Sequence, residues 1–244
     1  MSIRLTLATA RRVLNQLRGD HRTMGLMLVV PMILMMILAW MFNGDGTFDR
    51  IGAPLLGVFP FIVMFLVTSV AMLRERTGGT LERLLSTPIG KLDLLLGYAF
   101  AFGAVAFIQA GLTTALALWG LDLDVRGDAW LLIVVALANA WLGTTLGLLV
   151  SAFAASEFQA VQFLPAIILP QFLLCGLLVP RHLLPDTLEA LSDAFPLSYA
   201  VDALNRVATE PRPASRVTFD ILVIVLFTTA ALAVGAGTLR RRTE

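Results

Sequence analysis

The sequence Arg-Glu-Arg-Thr-Gly-Gly-Thr-Leu-Glu-Arg-Leu-Leu-Ser-Thr-Pro occupies residues 74–88 and separates two long apolar runs, Ile51–Leu73 and Leu92–Gly120. Each run is long enough to cross a hydrocarbon core of about 30 Å, which takes about 20 helical residues. A connection between two spans needs only a few polar residues, whereas this one contains a glycine pair, a helical pattern and a proline. That amount of local structure predicts a docking element for a soluble partner at one membrane face.

Composition places the chain in a membrane. Of its 244 residues, 58% are hydrophobic and 14% are charged, and the mean hydropathy is +0.84. A soluble domain of this size would need far more polar surface. We therefore expect an all-α integral membrane protein with a single transmembrane domain, residues 1–244, and six spans. The expected spans are Met24–Phe42, Ile51–Leu73, Leu92–Gly120, Ala129–Ser151, Val161–Val179 and Phe219–Leu239.

Basic residues predict the orientation, because loops rich in Lys and Arg stay in the cytoplasm. The two short loops on one side carry only Arg50 and Arg126. The other side carries Arg4, Arg11, Arg12, Arg18, Arg22, Arg74, Arg76, Arg83, Lys91, Arg240, Arg241 and Arg242. We therefore expect both termini in the cytoplasm and the segment Pro180–Thr218 outside. Lys91 is the only lysine, and this preference for arginine favours a GC-rich bacterium, so the expected location is a bacterial cell membrane.

The first residues follow an amphipathic helical pattern. Arg4, Arg11 and Arg18 recur every seven residues, next to an apolar stripe of Ile3, Leu7, Ala10, Leu14 and Leu17. This pattern is typical of a helix in the membrane interface, with the apolar stripe among acyl chains and the arginines at lipid headgroups. The alternative is a basic flank that only sets the topology.

The loop between the second and third spans is expected to form a short helix. Gly78 and Gly79 permit a sharp change of direction, and Pro88 stops a helix. Between them, Thr80 would cap the helix, Glu82 would lie in its first turn, and Leu81, Leu84 and Leu85 would form an apolar stripe. Two helical turns are marginal in water. The stripe therefore either contacts a partner or rests on the headgroup boundary, and the pattern alone favours neither.

The same loop resembles the cytoplasmic loop of the type-2 family of ATP-binding-cassette permeases, whose pattern is roughly R/K-E-x-x-x-G-T-x-E-x-L-x-x-x-P. A second block agrees at 151–160, followed by Pro165, Pro170 and Gly176, and a third at 179–185 and 195–204. The resemblance covers essentially the whole chain. It is closest to the short drug- and antibiotic-export permeases of the daunorubicin-resistance type.

The resemblance implies a dimer of permeases that grips two copies of a separate cytoplasmic ATPase. A homodimer is favoured and a heterodimer is possible. The residues that it assigns to the ATPase contact are Arg76, Gly79, Thr80, Leu81, Glu82, Arg83, Leu84, Leu85 and Pro88. The N-terminal helix would be the connecting helix near the ATPase. ATP and Mg would bind to the partner, because this chain lacks the G-x-x-x-x-G-K-[ST] loop that cradles phosphates.

The fifth span and the segment after it carry the expected exit of the pathway. Pro165 and Pro170 would kink the span, and Gln171 could cross-link helices, as could Gln159 and Gln162. Leu184, Leu188, Leu191 and Phe195 then predict an amphipathic helix. The resemblance implies a hairpin that re-enters the membrane and caps the exit, and an ordinary surface helix is the alternative. The pathway or cap residues expected on this basis are Asn139, Pro165, Pro170, Gln171, Gly176 and Pro180.

The residue types that the expected spans lack limit the classes of function that the chain can have. The central portions of the expected spans contain no ionisable residue, which argues against proton relays, ion sites and intramembrane catalysis. Cys175 is the only cysteine, which excludes an internal disulfide or a cysteine metal cluster. Asn139, Trp141, Thr144 and Thr145 form the most polar cluster within a span, for either helix packing or substrate contact.

The expected function is therefore the permease subunit of an ATP-driven exporter that moves an amphipathic or lipid-like cargo outward. The chain itself would be no enzyme, would bind no cofactor or metal, and would contact membrane lipids but no nucleic acid. An ion-gradient-driven transporter and a non-transport membrane scaffold in a sensing or lipid-synthesis complex are the alternatives.

Overall fold

The computed structural model describes residues 2–42, 46–86, 89–211 and 214–238, except for the side chains of Glu82, Leu85 and Ala214. Within these ranges the chain is helical and forms no strand. The helices are α1 (Ile3–Gly19), α2 (His21–Met41), α3 (Thr47–Thr77), α4 (Thr80–Leu85), α5 (Lys91–Ala115), α6 (Ala129–Val150), α7 (Glu157–Phe163), α8 (Leu169–Leu174), α9 (Asp186–Asp193), α10 (Pro196–Thr209) and α11 (Ala214–Thr238). A π-helical turn, Leu116–Gly120, extends α5, and another, Leu164–Ile168, joins α7 to α8.

Six helices are long and apolar enough to cross a membrane, which confirms the all-α membrane class. They are His21–Met41, Thr47–Thr77, Lys91–Gly120, Ala129–Val150, Glu157–Leu174 and Ser215–Thr238. The fifth is shifted from its expected bounds. It begins early because Ser156 Oγ caps it by accepting from the Gln159 amide at 3.2 Å, and it ends early at the turn around Gly176, whose φ is +92°. The expected end of the sixth span, Leu239, and the three arginines after it lie outside the described residues.

Backbone contact joins α3 to α6. A Cβ built on Gly143 would lie 2.4 Å from the Phe61 carbonyl oxygen, and one on Gly147 would lie 2.4 Å from that of Phe65. Thr68 Oγ1 adds a hydrogen bond to the α6 backbone at the Thr144 carbonyl, 3.2 Å away. Small residues at such an interface let two membrane helices approach closely. The other spans pack around this pair, with α5 and α11 against α6 and α2 against α3.

The first helix packs along α5. A Cβ on Gly97 would lie 2.5 Å from the Thr9 Cβ, so α1 and α5 are also in close contact. Asp93, in the first turn of α5, accepts hydrogen bonds from the Ser2 amide at 3.0 Å and from Thr6 Oγ1 at 3.4 Å. These contacts fix α1 at the end of the bundle that also carries α4, called the α4 end below.

The segment after α8 returns among the spans through α10. Leu204 packs against Gly57, where a Cβ would lie 2.5 Å from the leucine Cδ1. Gly57 lies ten residues after Thr47, about 15 Å along α3 from its start. The last turn of α10 accepts hydrogen bonds from the Arg126 and Gly127 amides at 3.0 and 2.9 Å. α10 lies at this depth, whereas the amphipathic run predicted from Leu184 onward gives the short helix α9. Re-entry of the segment into the membrane stays a prediction.

We expect Gly147→Val to destabilise the protein strongly. The new methyl groups would meet the α3 backbone, which cannot rotate away, so the cost should be at least about 3 kcal/mol. The thermal unfolding temperature of the purified chain measures this loss. Gly111→Val is the matched control, since a Cβ at this α5 position has no atom within 4 Å. Equal stability of the two variants would contradict the role given to the α3–α6 contact.

Candidate functional site

A two-residue turn links α3 to α4. The Gly78 amide donates to the Arg74 carbonyl at 2.9 Å and closes α3, and Gly79 has a φ of +72°, which favours glycine. The sequence assigned the cap to Thr80, but α4 already begins there, so Gly79 holds the position before the helix. The Gly79 carbonyl accepts the first helical bond from the Arg83 amide at 3.2 Å. Only Gly78 and Gly79 separate α3 from α4.

The apolar side of α4 packs on the chain itself. Leu81 is only 6% exposed and belongs to a buried cluster with Val13 and Leu17 of α1 and Tyr98 of α5. Leu84 is partly buried against the same cluster. The surface that a helix of this length needs for stability is therefore intramolecular. Leu81 and Leu84, which the sequence assigned to an ATPase contact, anchor α4 to α1 and α5.

The outward side of α4 carries the exposed residues. Arg83 is exposed, and so are Thr77 and Gly78 in the turn before it and Ser86 after it. The backbone of Glu82 and Leu85 is helical, and their side chains lie outside the described atoms. Pro88, the expected stop, also lies outside the described residues. Of the contact residues assigned from the sequence, Arg83 is therefore the one seen to point its side chain away from the protein.

Two arginines brace the end of α3. Arg74 forms a bidentate ion pair with Glu157 in the first turn of α7, at 2.8 and 3.0 Å. Arg76, which the sequence assigned to a partner contact, donates instead to the Ser151 carbonyl at the end of α6. The Arg74 pair is largely exposed and on its own stabilises little. Together the two arginines tie α3, and with it α4, to the adjoining ends of α6 and α7.

A polar cluster that the sequence did not predict ties α1 to α3 and α5. Glu75 Oε1 accepts from Arg12 Nη1 and from Gln16 Nε2, both at 3.2 Å. Arg12 also donates to the Tyr98 hydroxyl, and its guanidinium lies over the Tyr98 ring, 5.6 Å from the centroid. The one pattern that could have indicated this cluster is the seven-residue spacing of the α1 arginines, and Arg12 is not part of it. Its partners Glu75 and Tyr98 lie 63 and 86 residues away in sequence, beyond the reach of any local pattern.

The surface of α1 divides into adjacent stripes. Ala10 and Leu17 of the predicted apolar stripe face the protein, together with Thr6, Thr9 and Val13. Ile3 and Leu7 are exposed, at 74% and 59%. Arg4, Arg11 and Arg18 are exposed next to them around the helix. An exposed apolar strip between protein and arginines suits a helix at the lipid headgroups and favours the interfacial prediction.

The residues expected along a pathway do not form one site. Asn139 is fully buried, and its Nδ2 donates to the Gly57 carbonyl at 3.0 Å, which joins α6 to α3. Gln171 Nε2 donates to the Ile167 carbonyl of its own helix at 3.1 Å. Pro165 and Pro170 are exposed on the α7–α8 span, and Pro165 lies in the π-helical turn Leu164–Ile168. The Asn139 contact supports helix packing over substrate binding.

The opposite end of the bundle, called the α9 end below, holds a polar cavity. Gly176 and Pro180 line it, together with several charged residues, and its volume is about 910 Å³. Arg181 forms ion pairs with Asp193 of α9 and Asp202 of α10, and Arg206 pairs with Asp220 of α11 at 3.3 Å. These pairs hold the segment after α8 together.

The sequence profile of the ABC-2 type transporter family matches residues 4–207. The chain belongs to this family. This confirms the resemblance to type-2 ATP-binding-cassette permeases, and the family agrees with a multi-pass membrane protein. No group of three or more His, Cys, Asp or Glu that could hold a metal ion occurs among the described residues.

Individual relatives are 23–28% identical to this chain over the aligned residues. The probable multidrug ABC transporter permease YbhS of Escherichia coli strain K12 is 28% identical over 179 residues, 72% of this chain and 46% of YbhS. YbhR of the same strain, which has the same description, is 26% identical over 153 residues, 63% of this chain and 42% of YbhR. ABC transporter G family member 20 of Dictyostelium discoideum is 23% identical over 141 residues, 58% of this chain and 19% of that protein. The chain spans less than half the length of these relatives.

We expect Leu81→Asp to release α4 from the chain. A carboxylate in this buried position would have to lose its hydration, so the undocked form becomes more populated. Hydrogen exchange of the 79–86 amides should accelerate, by about tenfold for each 1.4 kcal/mol of lost docking energy. Ser86→Asp introduces the same residue at an exposed position and should leave the exchange unchanged. Identical exchange in the two variants would contradict the intramolecular anchoring of α4.

Proposed function

We propose that this chain is the membrane-spanning subunit of an ATP-driven exporter, and that a separate ATPase moves it through α4. The observation that carries the proposal is the construction of α4. It is an exposed helix that projects Arg83 outward, and it is anchored by Leu81 to the buried core of a chain of the ABC-2 type transporter family. An element built in this way transmits force from a soluble protein to the spans.

The contacts of α4 would carry a displacement caused by the ATPase into the membrane spans. A displacement of α4 reaches α3 through the Gly78–Gly79 turn, and α1 through Leu81 and the Arg12–Glu75 ion pair. From α3 it passes to α6 along the backbone contact at Gly143 and Gly147, because closely packed helices move together. We infer that ATP-driven closure of the partner shifts this group of helices as a unit.

The proposed assembly contains two copies of the ATPase and a second permease, most simply an identical one. ATP and Mg bind to the ATPase. The uncovered span surfaces support a partner in the membrane. Only 17% of the most apolar stretch of Glu157–Leu174 is buried, against 61% for Thr47–Thr77. We propose that this fifth span and the part of α3 that packs against it meet their counterparts at the dimer interface, where the cargo passes.

We propose that the cargo is amphipathic or lipid-like and moves outward. The absence of ionisable residues from the central portions of the spans supports an apolar pathway. The multidrug description of YbhR and YbhS agrees with a cargo of this kind. The cargo would leave beneath the α9 end, where α10 covers the spans.

Arg83→Glu should abolish co-purification of the ATPase from the native membrane while the permease remains folded. The substitution reverses the charge at the exposed docking surface, and a misplaced charge at an interface costs several kcal/mol. The amount of a co-purified chain with a phosphate-binding loop and ATP hydrolysis activity is the measurement. Arg126→Glu makes the same change at an exposed residue of the α9 end and should retain the ATPase. Full retention with Arg83→Glu would exclude α4 as the docking element.

The proposed orientation places the α4 end and both termini in the cytoplasm of a bacterial cell. A cysteine at Ser86 should then react with a membrane-impermeant maleimide only in inside-out vesicles, and one at Asp186 only in intact cells. Cys175 can stay in place, because burial raises the pKa of its thiol to about 11 and leaves little reactive thiolate at neutral pH. The reverse labelling pattern would overturn the orientation.

A further inference from the structure

A cavity of about 420 Å³ lies inside one protomer at the α4 end, between α1, α2, α3 and α5. Its volume falls within the range of about 300–1,000 Å³ typical of small-molecule sites. The residue between α1 and α2, Asp20, forms part of its rim, and Thr80, the first residue of α4, forms another part.

One wall of the cavity is apolar. Leu17, Val67, Val70 and Phe102 contribute side chains from three different helices. Leu26 of α2 continues this wall and is 62% exposed, on a helix whose apolar stretch is only 17% buried. The chain itself leaves this leucine uncovered within a span that the membrane surrounds. The wall therefore offers an apolar body a path from the membrane into the cavity.

The lining also includes two carboxylates, those of the exposed Asp20 and the partly buried Glu75. Asp20 accepts hydrogen bonds from Thr23 Oγ1 at 2.6 Å and from the Thr23 amide at 3.1 Å, and these bonds hold the pKa of its carboxyl below the usual range. Asp20 is therefore ionised at neutral pH. Glu75 uses Oε1 for Arg12 and Gln16, while its Oε2 is buried without any hydrogen-bond partner. A buried acceptor in this state is costly unless a donor reaches it.

The charge balance of the cavity lining is negative. Arg74 is the cavity's one lining cation among the described residues, and its charge is matched by the bidentate pair with Glu157. Arg12, which does not line the cavity, balances the charge of Glu75 through an ion pair. The charge of Arg74 also reaches Asp20 and helps to lower its pKa, but two lining carboxylates still share this one lining cation. Glu75 Oε2 remains an unfilled acceptor. A cation that also donates N–H bonds satisfies both groups at once.

We propose that this cavity binds an amphipathic amine, with its ammonium group between Asp20 and Glu75 and its apolar body against Val67, Val70 and Phe102. The same chemistry is offered by a soluble organic amine and by the headgroup of an aminophospholipid. Binding requires neither the ATPase nor transport. The cavity touches α1, α3 and the first residue of α4, so an occupant contacts the helices that hold the docking element in place.

The test uses the full chain in phosphatidylglycerol nanodiscs without an ATPase. Pyrenebutylamine is the probe, pyrenebutanoate is its anionic counterpart, and fluorescence polarisation above that of empty nanodiscs measures binding. We expect saturable binding of the amine alone. Asp20→Asn and Glu75→Gln should each weaken it about tenfold, since each removes one charge-assisted contact. Val67→Phe should abolish binding by filling the cavity.

Matched controls separate binding from folding. Asp186→Asn removes an exposed carboxylate at the α9 end, and Val225→Phe makes the same enlargement on the exposed side of α11, so both should bind as the unmodified chain does. Asp20→Asn keeps an oxygen that can accept the Thr23 amide bond, so its unfolding temperature should stay unchanged. Glu75→Gln can loosen α1, and the proposal therefore depends on Asp20→Asn and Val67→Phe.

Two results would overturn the proposal: saturable binding of pyrenebutanoate with the same affinity, or unchanged amine binding by both Asp20→Asn and Val67→Phe. Replacing half of the phosphatidylglycerol with phosphatidylethanolamine distinguishes the two sources of the amine. Competition by this lipid identifies an aminophospholipid as the occupant, and unchanged binding identifies a soluble amine. Failure of the binding test would leave the ATPase-docking proposal standing, because no ATPase takes part in it.

Discussion

The backbone contact between α3 and α6 is the constraint on which the rest of the structure depends. Lipid tails are as apolar as the helix surfaces, so burial of side chains alone gives membrane helices little reason to associate. Gly143 and Gly147 remove the side chains at the positions where the Phe61 and Phe65 carbonyls arrive. The helices then gain close dispersion contacts along their length. The remaining spans and α10 pack against this pair.

This constraint gives α4 its importance. Because α3 cannot slide freely along α6, and because only Gly78 and Gly79 separate α3 from α4, a force on α4 is not absorbed by a loose linker. Leu81 completes the connection by entering the same buried cluster as Val13 of α1. The short helix is thus part of the membrane domain, and Arg83 remains exposed on its outward side.

The cavity at the α4 end follows from the same geometry. Asp20 is the one residue between α1, which lies along α5, and α2, which leaves to become the first span. The two helices part at this residue and leave an open cavity against α3. The polar residues that stabilise the junction, Asp20 and Glu75, line that space, while α2 supplies an apolar edge. An amphipathic cavity is the physical result.

The sequence by itself determined the membrane class, the six spans, the short helix after Gly79 and the family, because these depend on local hydropathy and on the order of motifs along the chain. It placed Leu81 and Leu84 on an apolar stripe, but their role as anchors depends on α1 and α5, which are distant in sequence. Only the tertiary structure paired Arg12 with Glu75 and Tyr98, directed Arg76 to the Ser151 carbonyl and inserted α10 beside Gly57. Such contacts depend on how the helices cross in space. Helical periodicity shows on which side of its helix a residue lies, but it does not show which other helix packs against that side.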